Sequence, residues 1–338
     1  MTHLTYLEAA VVGLVQGVTE MFPVSSLGHN VLIPAIIGGS WARDLNVASP
    51  ESPYLAFVVG LHVATAIALI IYFWRDWVRI IGGFLTSIRD RGVRTVDQKL
   101  AWMIILATIP VGIVGLLFEH TFRVIFGKPI IAGIFLTVNG LILIAGERYR
   151  SRASLAADAA VAAERQPGMV PAREPEFVGA AHARAGHRAR STGRDLRDVE
   201  LAEAIEADRR LARLPLTQSV VVGSAQILAL LAGISRDGVT MVAGMARGLS
   251  REDAARFAFL LATPVILAAG ALKIPDLLGP LGNGIRGQIL LGSVLSGVGA
   301  YLSVRFLLRY LRTRTLTPFG IYCLIAGVAC VLYLGLVK

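Results

Sequence analysis

VVGLVQGVTEMFPVSSLGHN, residues 11–30, is repeated 210 positions later as VVGSAQILALLAGISRDGVT, residues 221–240. Six of the twenty positions are identical without a gap, and each copy is an apolar segment that ends in a short polar turn. Ionisable side chains inside apolar segments cost free energy, and they are therefore usually retained for a function. The repeated turns are thus the first candidates for the chemistry of this chain.

The composition of the chain is that of an integral membrane protein. Of its 338 residues 55% are hydrophobic and 17% are charged, and the mean hydropathy is +0.64. A helix needs about 20 apolar residues to cross the hydrocarbon core. Six stretches meet this length and are predicted to be transmembrane helices: 53–74, 99–118, 129–147, 257–274, 287–308 and 318–337.

The two motif segments predict a different structure. Residues 4–24 and 216–235 are long enough to cross the membrane, and a full crossing is the simpler interpretation. Each segment, however, is broken by a turn signal, and the apolar stretches that follow, 30–38 and 239–246, are too short to return across. We therefore expect two re-entrant helical hairpins, each of which enters the bilayer and leaves by the same face.

Three predicted spans separate the hairpins, so the second copy enters from the opposite face and the repeat is inverted. Inverted repeats with broken helices bring helix ends together near the midplane. The predicted fold is an all-α polytopic membrane protein with six transmembrane helices and two re-entrant hairpins. We expect a first repeat at 1–147, a cytoplasmic insertion at 148–215 and a second repeat at 216–338. Composition predicts disorder over 151–192, and 195–214 is expected to form a helix at the membrane surface or in solvent.

Lysine and arginine residues predict the orientation. Of the 33 in the chain, 26 fall in 75–99, 148–213, 247–256 and 305–314, which the predicted fold places on one face. Positively charged loops mark the cytoplasmic face. Both termini and the mouth of the first hairpin are therefore expected to face outward. The net charge of +10 follows from this topology and from attraction to anionic headgroups, and no nucleic-acid partner is expected.

The first turn holds groups suited to nucleophilic and acid–base chemistry. Gln16 and Glu20 are four residues apart and share a helix face. Ser25 and Ser26 begin the next helix, and His29 follows one turn later. Taken alone, both serines are more simply explained as helix caps, and His29 as an interior histidine. Glu20 is harder to explain in this way, because a buried carboxylate needs a cation or a proton.

The second turn adds a cation. Arg236 stands where the first copy has Ser26, and its planar guanidinium suits phosphate oxygens. Together the two turns would supply a nucleophile, a base, a carboxylate for a divalent metal, two helix N-termini and an anion-binding group. This set predicts phosphoryl transfer, in which catalysis is mainly positioning and neutralisation of charge.

These residues resemble a known family. Q-x-x-x-E at 16–20 and PVSS-x-GH at 23–29 are similar to the first signature of the undecaprenyl-diphosphate phosphatases of the bacitracin-resistance type. Their second signature, P-G-x-S-R-S-G-x-T, is matched at Gly233, Ser235, Arg236, Gly238 and Thr240. The chain departs from the patterns at Leu27, Ala232 and Asp237. Asp237 replaces the second serine, and either it pairs with Arg236 and weakens phosphate binding or it helps to hold a metal.

The resemblance implies an activity and a location. The implied reaction removes the terminal phosphate of undecaprenyl diphosphate in the bacterial plasma membrane, at a site open to the extracytoplasmic side. It recycles the lipid carrier of cell-wall synthesis and confers resistance to bacitracin. A divalent cation, Mg²⁺ or Ca²⁺, is the implied cofactor. The expected partners are undecaprenyl diphosphate and membrane lipid, and a homodimer is left open.

A hypothesis for the roles of single residues builds on this implied activity. Ser26 attacks the terminal phosphorus, His29 or Glu20 takes its proton, and Arg236 holds the diphosphate; the choice between Ser26 and His29 as nucleophile stays open. Glu20 and Gln16 are the expected metal ligands. The expected substrate-binding residues are Gln16, Ser25, Gly28, Gly233, Ser235, Gly238 and Thr240.

A non-enzymatic function stays open, because an inverted repeat with polar midplane turns is also the build of secondary transporters and of a lipid flippase. The asymmetry of the two copies argues against it. A carrier has no need of Ser26, His29 and Glu20 in one turn and of Arg236 in the other. The remaining histidines, among them His62, are expected at the surface or in packing.

Overall fold

The chain is helical throughout the part that the computed structural model describes, which comprises residues 4–45, 53–126, 128–164, 193–279 and 284–336. No strand occurs within these ranges. The helices are α1 (Tyr6–Met21), α2 (Ser26–Ile37), α3 (Gly39–Asp44), α4 (Pro53–Tyr72), α5 (Trp74–Arg89), α6 (Val96–Phe126), α7 (Pro129–Glu164), α8 (Gly193–Leu211), α9 (Leu216–Ser224), a 3₁₀ helix (Ala225–Leu230), α10 (Arg236–Ala246), α11 (Arg251–Leu278), α12 (Arg286–Leu311) and α13 (Thr317–Leu336).

The predicted transmembrane segments are confirmed as helices. Five of the described helices, α6, α7, α11, α12 and α13, are long and apolar enough to cross a membrane on their own. The sixth predicted segment is α4, which passes the same test together with α5 although the pair is bent by 84°. The motif copies form shorter, broken helices: α1 and α2 in the first, and α9, the 3₁₀ helix and α10 in the second.

Each half of the molecule packs one of its helices against the other half. The first helix of each motif copy lies against a spanning helix of the other half, α1 on α12 and α9 on α6. Equivalent glycines make both contacts. A Cβ atom added to Gly13 would lie 2.7 Å from Gly292 Cα, and one added to Gly223 would lie 2.7 Å from the carbonyl carbon of Ala107. Small residues allow helix backbones to approach this closely in membranes.

The central contacts follow the same symmetry. Helix α4 packs on α11, and α7 packs on α13, so that corresponding spans of the two halves meet. Helix α10 contacts α7, and α2 contacts α13. This pattern is that of the predicted inverted repeat, and it places the turns of both hairpins inside the helix bundle. The boundaries predicted for the three segments of the chain remain predictions.

Helix α5 lies mostly within 75–99, a basic stretch for which the sequence analysis predicted a face but no helix. It presents one stripe of exposed apolar side chains, spaced three or four residues apart: Trp74, Val78, Ile81, Leu85 and Ile88. Arginine residues interrupt the apolar pattern of this stretch in the sequence, and for this reason the helix was not predicted. A helix with one apolar and one charged face, set nearly perpendicular to a spanning helix, is typical of an element in the membrane interface.

Helix α8 belongs to the predicted insertion, where a helix was expected over 195–214, and it is docked on the bundle rather than free in solvent. It contacts α6 and α11. Asp208 is fully buried, and it accepts hydrogen bonds from Arg79 at 2.6 Å and from Arg256 at 2.9 Å. Arg256 also lies 2.9 Å from Asp76 on α5. A buried carboxylate needs such partners, and these arginines therefore fix α8 in place.

The predicted disorder over 151–192 is partly corrected. Helix α7 continues to Glu164, well beyond the length that a bilayer requires. The sequence ASLAADAAVAAE at 153–164 explains this continuation, because alanine has the highest helix propensity of all residues. Residues 165–192 lie outside the described part of the chain.

Candidate active site

Ser25 links the two motif turns. It is the N-cap of α2, and its hydroxyl oxygen accepts hydrogen bonds from the backbone N–H groups of Gly28 and Gly233, each at 3.2 Å. Its backbone has a φ of 69°, which is unfavourable for a residue with a side chain and is typical of functional turns. The cap expected from the sequence is therefore present, and it also reaches the other half of the molecule.

Asn139 on α7 makes the second link. Its Nδ2 donates to the carbonyl oxygen of Pro23 at 2.9 Å, and its Oδ1 accepts from the backbone N–H of Ser235 at 3.0 Å. Gly233 is required at the contact, because its φ is +110° and an added Cβ would lie 2.6 Å from the backbone nitrogen of Leu136. The two turns are thus in direct contact, as the inverted repeat predicted.

Glu20 collects hydrogen bonds from both halves. One carboxylate oxygen accepts from the Ser26 hydroxyl and from Gln16 Nε2, the latter at 2.8 Å. The other oxygen accepts from an Arg236 terminal nitrogen at 2.7 Å. Gln16 is in turn held by Asn30, whose Nδ2 donates to Gln16 Oε1 at 2.6 Å. The structure therefore brings together Gln16, Glu20 and Ser26 of the first copy with Arg236 of the second.

The side chains of this cluster are mostly shielded. Glu20 is 8% exposed, and Ser26 is 9% exposed. The side chain of Arg236 is 17% exposed. Opposite charges attract strongly where water is excluded, and the Arg236–Glu20 ion pair is in such a place. The guanidinium of Arg236 is the more exposed of the two groups and can be reached from outside.

His62 is a site residue that the sequence analysis missed, and the expectation of a surface or packing role was wrong. Its Nε2 lies 3.2 Å from Gln16 Nε2 and 3.6 Å from a Glu20 oxygen. Its Nδ1 lies 2.9 Å from the carbonyl oxygen of Val58, which can only accept. The neutral ring is therefore protonated at Nδ1 and accepts from Gln16 at Nε2. The sequence offered one indication of this role, which is that His62 is an ionisable residue within a predicted transmembrane helix.

His29 is hydrogen-bonded to groups other than the Ser26 hydroxyl. Its Nδ1 lies 2.7 Å from the Ser25 carbonyl oxygen, and its Nε2 lies 2.7 Å from the Tyr322 hydroxyl. The carbonyl requires a proton on Nδ1, so Nε2 of the neutral ring accepts from Tyr322. Among the hydrogen bonds of the described residues, His29 makes none to Ser26. Tyr322, on α13, is a second residue that the sequence motifs did not indicate.

The remaining predicted residues support the second turn. Ser235 caps α10 by accepting from the N–H of Gly238 at 3.1 Å. The Thr240 hydroxyl donates to the carbonyl oxygen of Arg236 at 2.7 Å, which braces the helix turn below the guanidinium. An added Cβ at Gly28 would lie 3.0 Å from the Cα of Gly233, so the two backbones meet closely here. These residues shape the site rather than donate to Glu20.

Asp237, one of the departures from the family signature, lies beside the site. Its side chain is 1% exposed, and its Oδ1 lies 3.6 Å from Arg236 Nε. Neither carboxylate oxygen has a hydrogen-bond partner among the residues that the structure describes. It stands at the repeat position that Leu27 occupies in the first copy.

Sequence comparisons place these observations in a family. The family described as "Bacitracin resistance protein BacA" matches residues 9–186 and 189–329. The chain belongs to this family. The undecaprenyl-diphosphatase of Mycolicibacterium paratuberculosis is 56% identical over 99% of each chain. Undecaprenyl-diphosphatase 2 of Frankia alni is 54% identical over 98% of each chain, and that of Burkholderia lata is 40% identical over 94% of this chain and 92% of its own. The family resemblance drawn from the two signatures is confirmed.

Proposed function

We propose that this chain is an undecaprenyl-diphosphate phosphatase, which releases inorganic phosphate and leaves undecaprenyl phosphate for reuse in cell-wall synthesis. This activity also gives resistance to bacitracin. The observation that carries the proposal is the contact between halves: Arg236 of one hairpin and Ser26 of the other bind the same carboxylate, Glu20. The names of the full-length relatives support it.

In the proposed mechanism Ser26 is the nucleophile. Its hydroxyl already donates to Glu20, which is placed to take the proton as the oxygen attacks the terminal phosphorus. The new Oγ–P bond replaces the bond from phosphorus to the bridging oxygen, and undecaprenyl phosphate leaves. Water then hydrolyses the phosphoserine to inorganic phosphate. Arg236 neutralises the charge on the phosphate oxygens during both steps.

The geometry favours Ser26 over His29 as nucleophile. Both ring nitrogens of His29 are bonded, to the Ser25 carbonyl and to Tyr322, whereas the Ser26 hydroxyl is bonded to a base. His29 is assigned instead to the support of the turn that holds Ser25. Mass spectrometry of the enzyme quenched during turnover would identify the phosphorylated residue, and phosphohistidine at 29 would contradict this assignment.

We propose a divalent cation, Mg²⁺ or Ca²⁺, as cofactor, with Glu20 and Gln16 as its ligands. Such a cation would neutralise charge on the diphosphate. Glu20 supplies carboxylate oxygens, which suit a hard cation. The Gln16 Oε1 accepts from Asn30 and its Nε2 faces Glu20, so the Gln16 amide must turn before its oxygen can bind a metal. The described residues include no group of three or more His, Cys, Asp or Glu placed to hold a metal alone. The phosphate oxygens of the substrate would therefore complete the coordination.

We also propose that the enzyme lies in the bacterial plasma membrane with its site open to the extracytoplasmic side. The distribution of lysine and arginine supports this orientation. A homodimer is proposed on the family resemblance alone. Cross-linking in native membranes, followed by electrophoresis, would test it, and an exclusively monomeric pattern would contradict it.

The activity is tested by phosphate release from undecaprenyl diphosphate by the purified protein with Mg²⁺. Arg236→Ala is expected to lower kcat by about 100-fold or more, because a group that neutralises transition-state charge is removed. Arg247→Ala is the matched control, since Arg247 is exposed just beyond α10. Wild-type protein that moves the lipid across vesicles but releases no phosphate would favour a flippase instead.

A further inference from the structure

Tyr322, on α13, contacts the first motif turn from the opposite half of the molecule. Its hydroxyl lies 2.7 Å from His29 Nε2, and the two rings are stacked, with centroids 5.8 Å apart and planes 7° apart. Tyr322 is 46% exposed, whereas His29 is 8% exposed. A side chain at the surface of the bundle thus directs its polar end inward, to a buried partner.

The two hydrogen bonds of His29 fix its ring in one orientation and one tautomer. The Ser25 carbonyl oxygen can only accept, so Nδ1 carries the proton and the Tyr322 hydroxyl donates to Nε2. A ring turned by 180° would place carbon atoms against both partners. Without the hydroxyl, Nε2 would be a buried acceptor without a donor, which costs free energy. The Tyr322 hydroxyl therefore stabilises the one ring orientation in which His29 holds Ser25.

The Ser25 carbonyl is the group through which His29 acts on the nucleophile. It accepts from the backbone N–H of His29 at 3.2 Å and faces Nδ1 at 2.7 Å. This carbonyl belongs to the planar peptide group that joins Ser25 to Ser26, so its direction fixes the backbone from which the Ser26 side chain starts. Ser25 has a φ of 69°, and a strained backbone persists only where its surroundings restrain it. Release of the carbonyl would therefore move Ser26 relative to Glu20.

The next residue of α13 contacts the other end of the same turn. Asn139 Nδ2 donates to Cys323 Sγ at 3.4 Å and to the carbonyl oxygen of Pro23 at 2.9 Å. Consecutive residues of one spanning helix thus lie against the turn near Pro23 and near His29. Helix α13 therefore holds both ends of the turn that carries Ser26, and Tyr322 makes the contact at the end nearer to α2.

We propose that Tyr322 is a positioning residue of the phosphatase. Its hydroxyl orients His29, and His29 holds the peptide group between Ser25 and Ser26 so that the Ser26 hydroxyl is aligned for attack. This inference rests on the proposed phosphatase function and adds a residue of the second repeat to the support of its nucleophile. The proton of Ser26 still passes to Glu20. A misplaced nucleophile slows the chemical step, and a displacement of about 1 Å can cost about 100-fold in rate.

The kinetics of Tyr322→Phe test this role, because the substitution removes the hydroxyl and keeps the ring. Loss of one hydrogen bond is expected to lower kcat by about 3- to 10-fold and to leave KM within about twofold of wild type. Tyr333→Phe is the matched control, since Tyr333 lies on the same helix and is 39% exposed. An unchanged kcat in Tyr322→Phe overturns the proposal. A higher KM at an unchanged kcat also overturns it, because the hydroxyl would then contact the substrate directly.

Restoration of a donor at position 322 separates the orientation of His29 from packing of the ring. The substitution Tyr322→p-aminophenylalanine keeps the ring and offers an amino group at the place of the hydroxyl. It is expected to recover most of the kcat that Tyr322→Phe loses. An amino variant as slow as Tyr322→Phe overturns the proposal.

Nitrogen-15 NMR of histidine-labelled protein reads the state of His29 without any measurement of activity. A His29→Asn sample identifies the two ring signals. Wild type is expected to show a protonated Nδ1 and an unprotonated, hydrogen-bonded Nε2. Tyr322→Phe is expected to shift the Nε2 signal and to populate the other tautomer, because nothing then donates to Nε2. Identical ring signals in both proteins overturn the proposal.

The failure of this inference differs from failure of the proposed function. Normal phosphate release by wild-type protein, combined with an equal kcat in Tyr322→Phe, contradicts the role of Tyr322 alone. Absence of phosphate release from wild-type protein contradicts the phosphatase itself, whatever the His29 signals show.

Discussion

Glu20 is the residue through which the two halves of the site are joined. It receives the Ser26 hydroxyl, the Gln16 amide and the Arg236 guanidinium on its two carboxylate oxygens. A glutamine at this position would have only one accepting oxygen. Its NH2 group would face one of these three partners, which are themselves hydrogen-bond donors. The charge of Glu20 is thus needed for the arrangement and for the proposed proton transfer.

Glu20→Gln is therefore expected to lower kcat by about 100-fold or more, because it removes the base and leaves Arg236 without its main partner. Phosphate release under saturating substrate measures the loss. Glu252→Gln, on the partly exposed surface of α11, serves as control. Activity within a few-fold of wild type in Glu20→Gln would exclude Glu20 as the base.

His62 is expected to act as a positioning residue, since its Nε2 accepts from the amide that also binds Glu20. His62→Leu removes one hydrogen bond, worth about 0.5–1.5 kcal/mol, and is expected to lower kcat/KM by about 2- to 10-fold. His62→Gln can still offer an accepting oxygen and should recover part of the activity. Equal activity of wild type and His62→Leu would show that the contact has no role.

At this scale the sequence predicts only part of the site. Glu20, Ser26 and Arg236 could be found because they interrupt two related apolar segments. His62, Asn139 and Tyr322 lie in spanning helices far from either motif, and they join the site only through the packing of α4, α7 and α13. No local pattern records such long-range contacts.

At the scale of helices, two equivalent glycine contacts hold each motif helix on the opposite half. Valine at Gly13 or at Gly223 is expected to force α1 from α12 or α9 from α6, because the added atoms would meet backbone. Each variant should lose several degrees of Tm, roughly the effect of 1–3 kcal/mol of overpacking. Gly115→Val on α6 is the control, since an added Cβ there has open space. A normal Tm in both glycine variants would contradict the crossed packing.

Asp208 is expected to secure α8 on the bundle. Asp208→Asn removes the charged partner of Arg79 and Arg256. The loss of one partner of a fully buried ion pair destabilises a protein by about 3–5 kcal/mol. The expected destabilisation is smaller here, because Arg79 is partly exposed. The fall in Tm in detergent measures this effect. Glu206→Gln on the same helix breaks an exposed pair and should change little. An Asp208→Asn variant as stable as wild type would show that α8 is held by other contacts.

Hydrophobic length sufficed to predict the spanning helices, whereas the elements outside the bilayer were less predictable. In α5 the apolar residues alternate with arginines, which lowers the hydropathy of any window although one face is fully apolar. In α8 the spacing predicted a helix, but its docking depends on Arg79 and Arg256, which lie elsewhere in the chain.

At the scale of the whole molecule, the proposed orientation can be tested with single cysteines. In a background with Cys323 and Cys330 replaced by alanine, Arg43→Cys and Arg89→Cys place thiols at exposed positions on the two predicted faces. An impermeant maleimide added to intact cells is expected to label position 43 and to label position 89 only after lysis. Labelling of position 89 in intact cells would reverse the assignment.

The exchange of partners between halves has a consequence for biogenesis. Gly13 rests on Gly292, so the first helix to leave the ribosome must wait for almost the entire polypeptide before its neighbour exists. At about 5–20 residues per second this delay is roughly 15–60 s. During that time the insertion machinery or lipid must cover the surface of α1 that later contacts α12. The complete active site can form only at the end of translation.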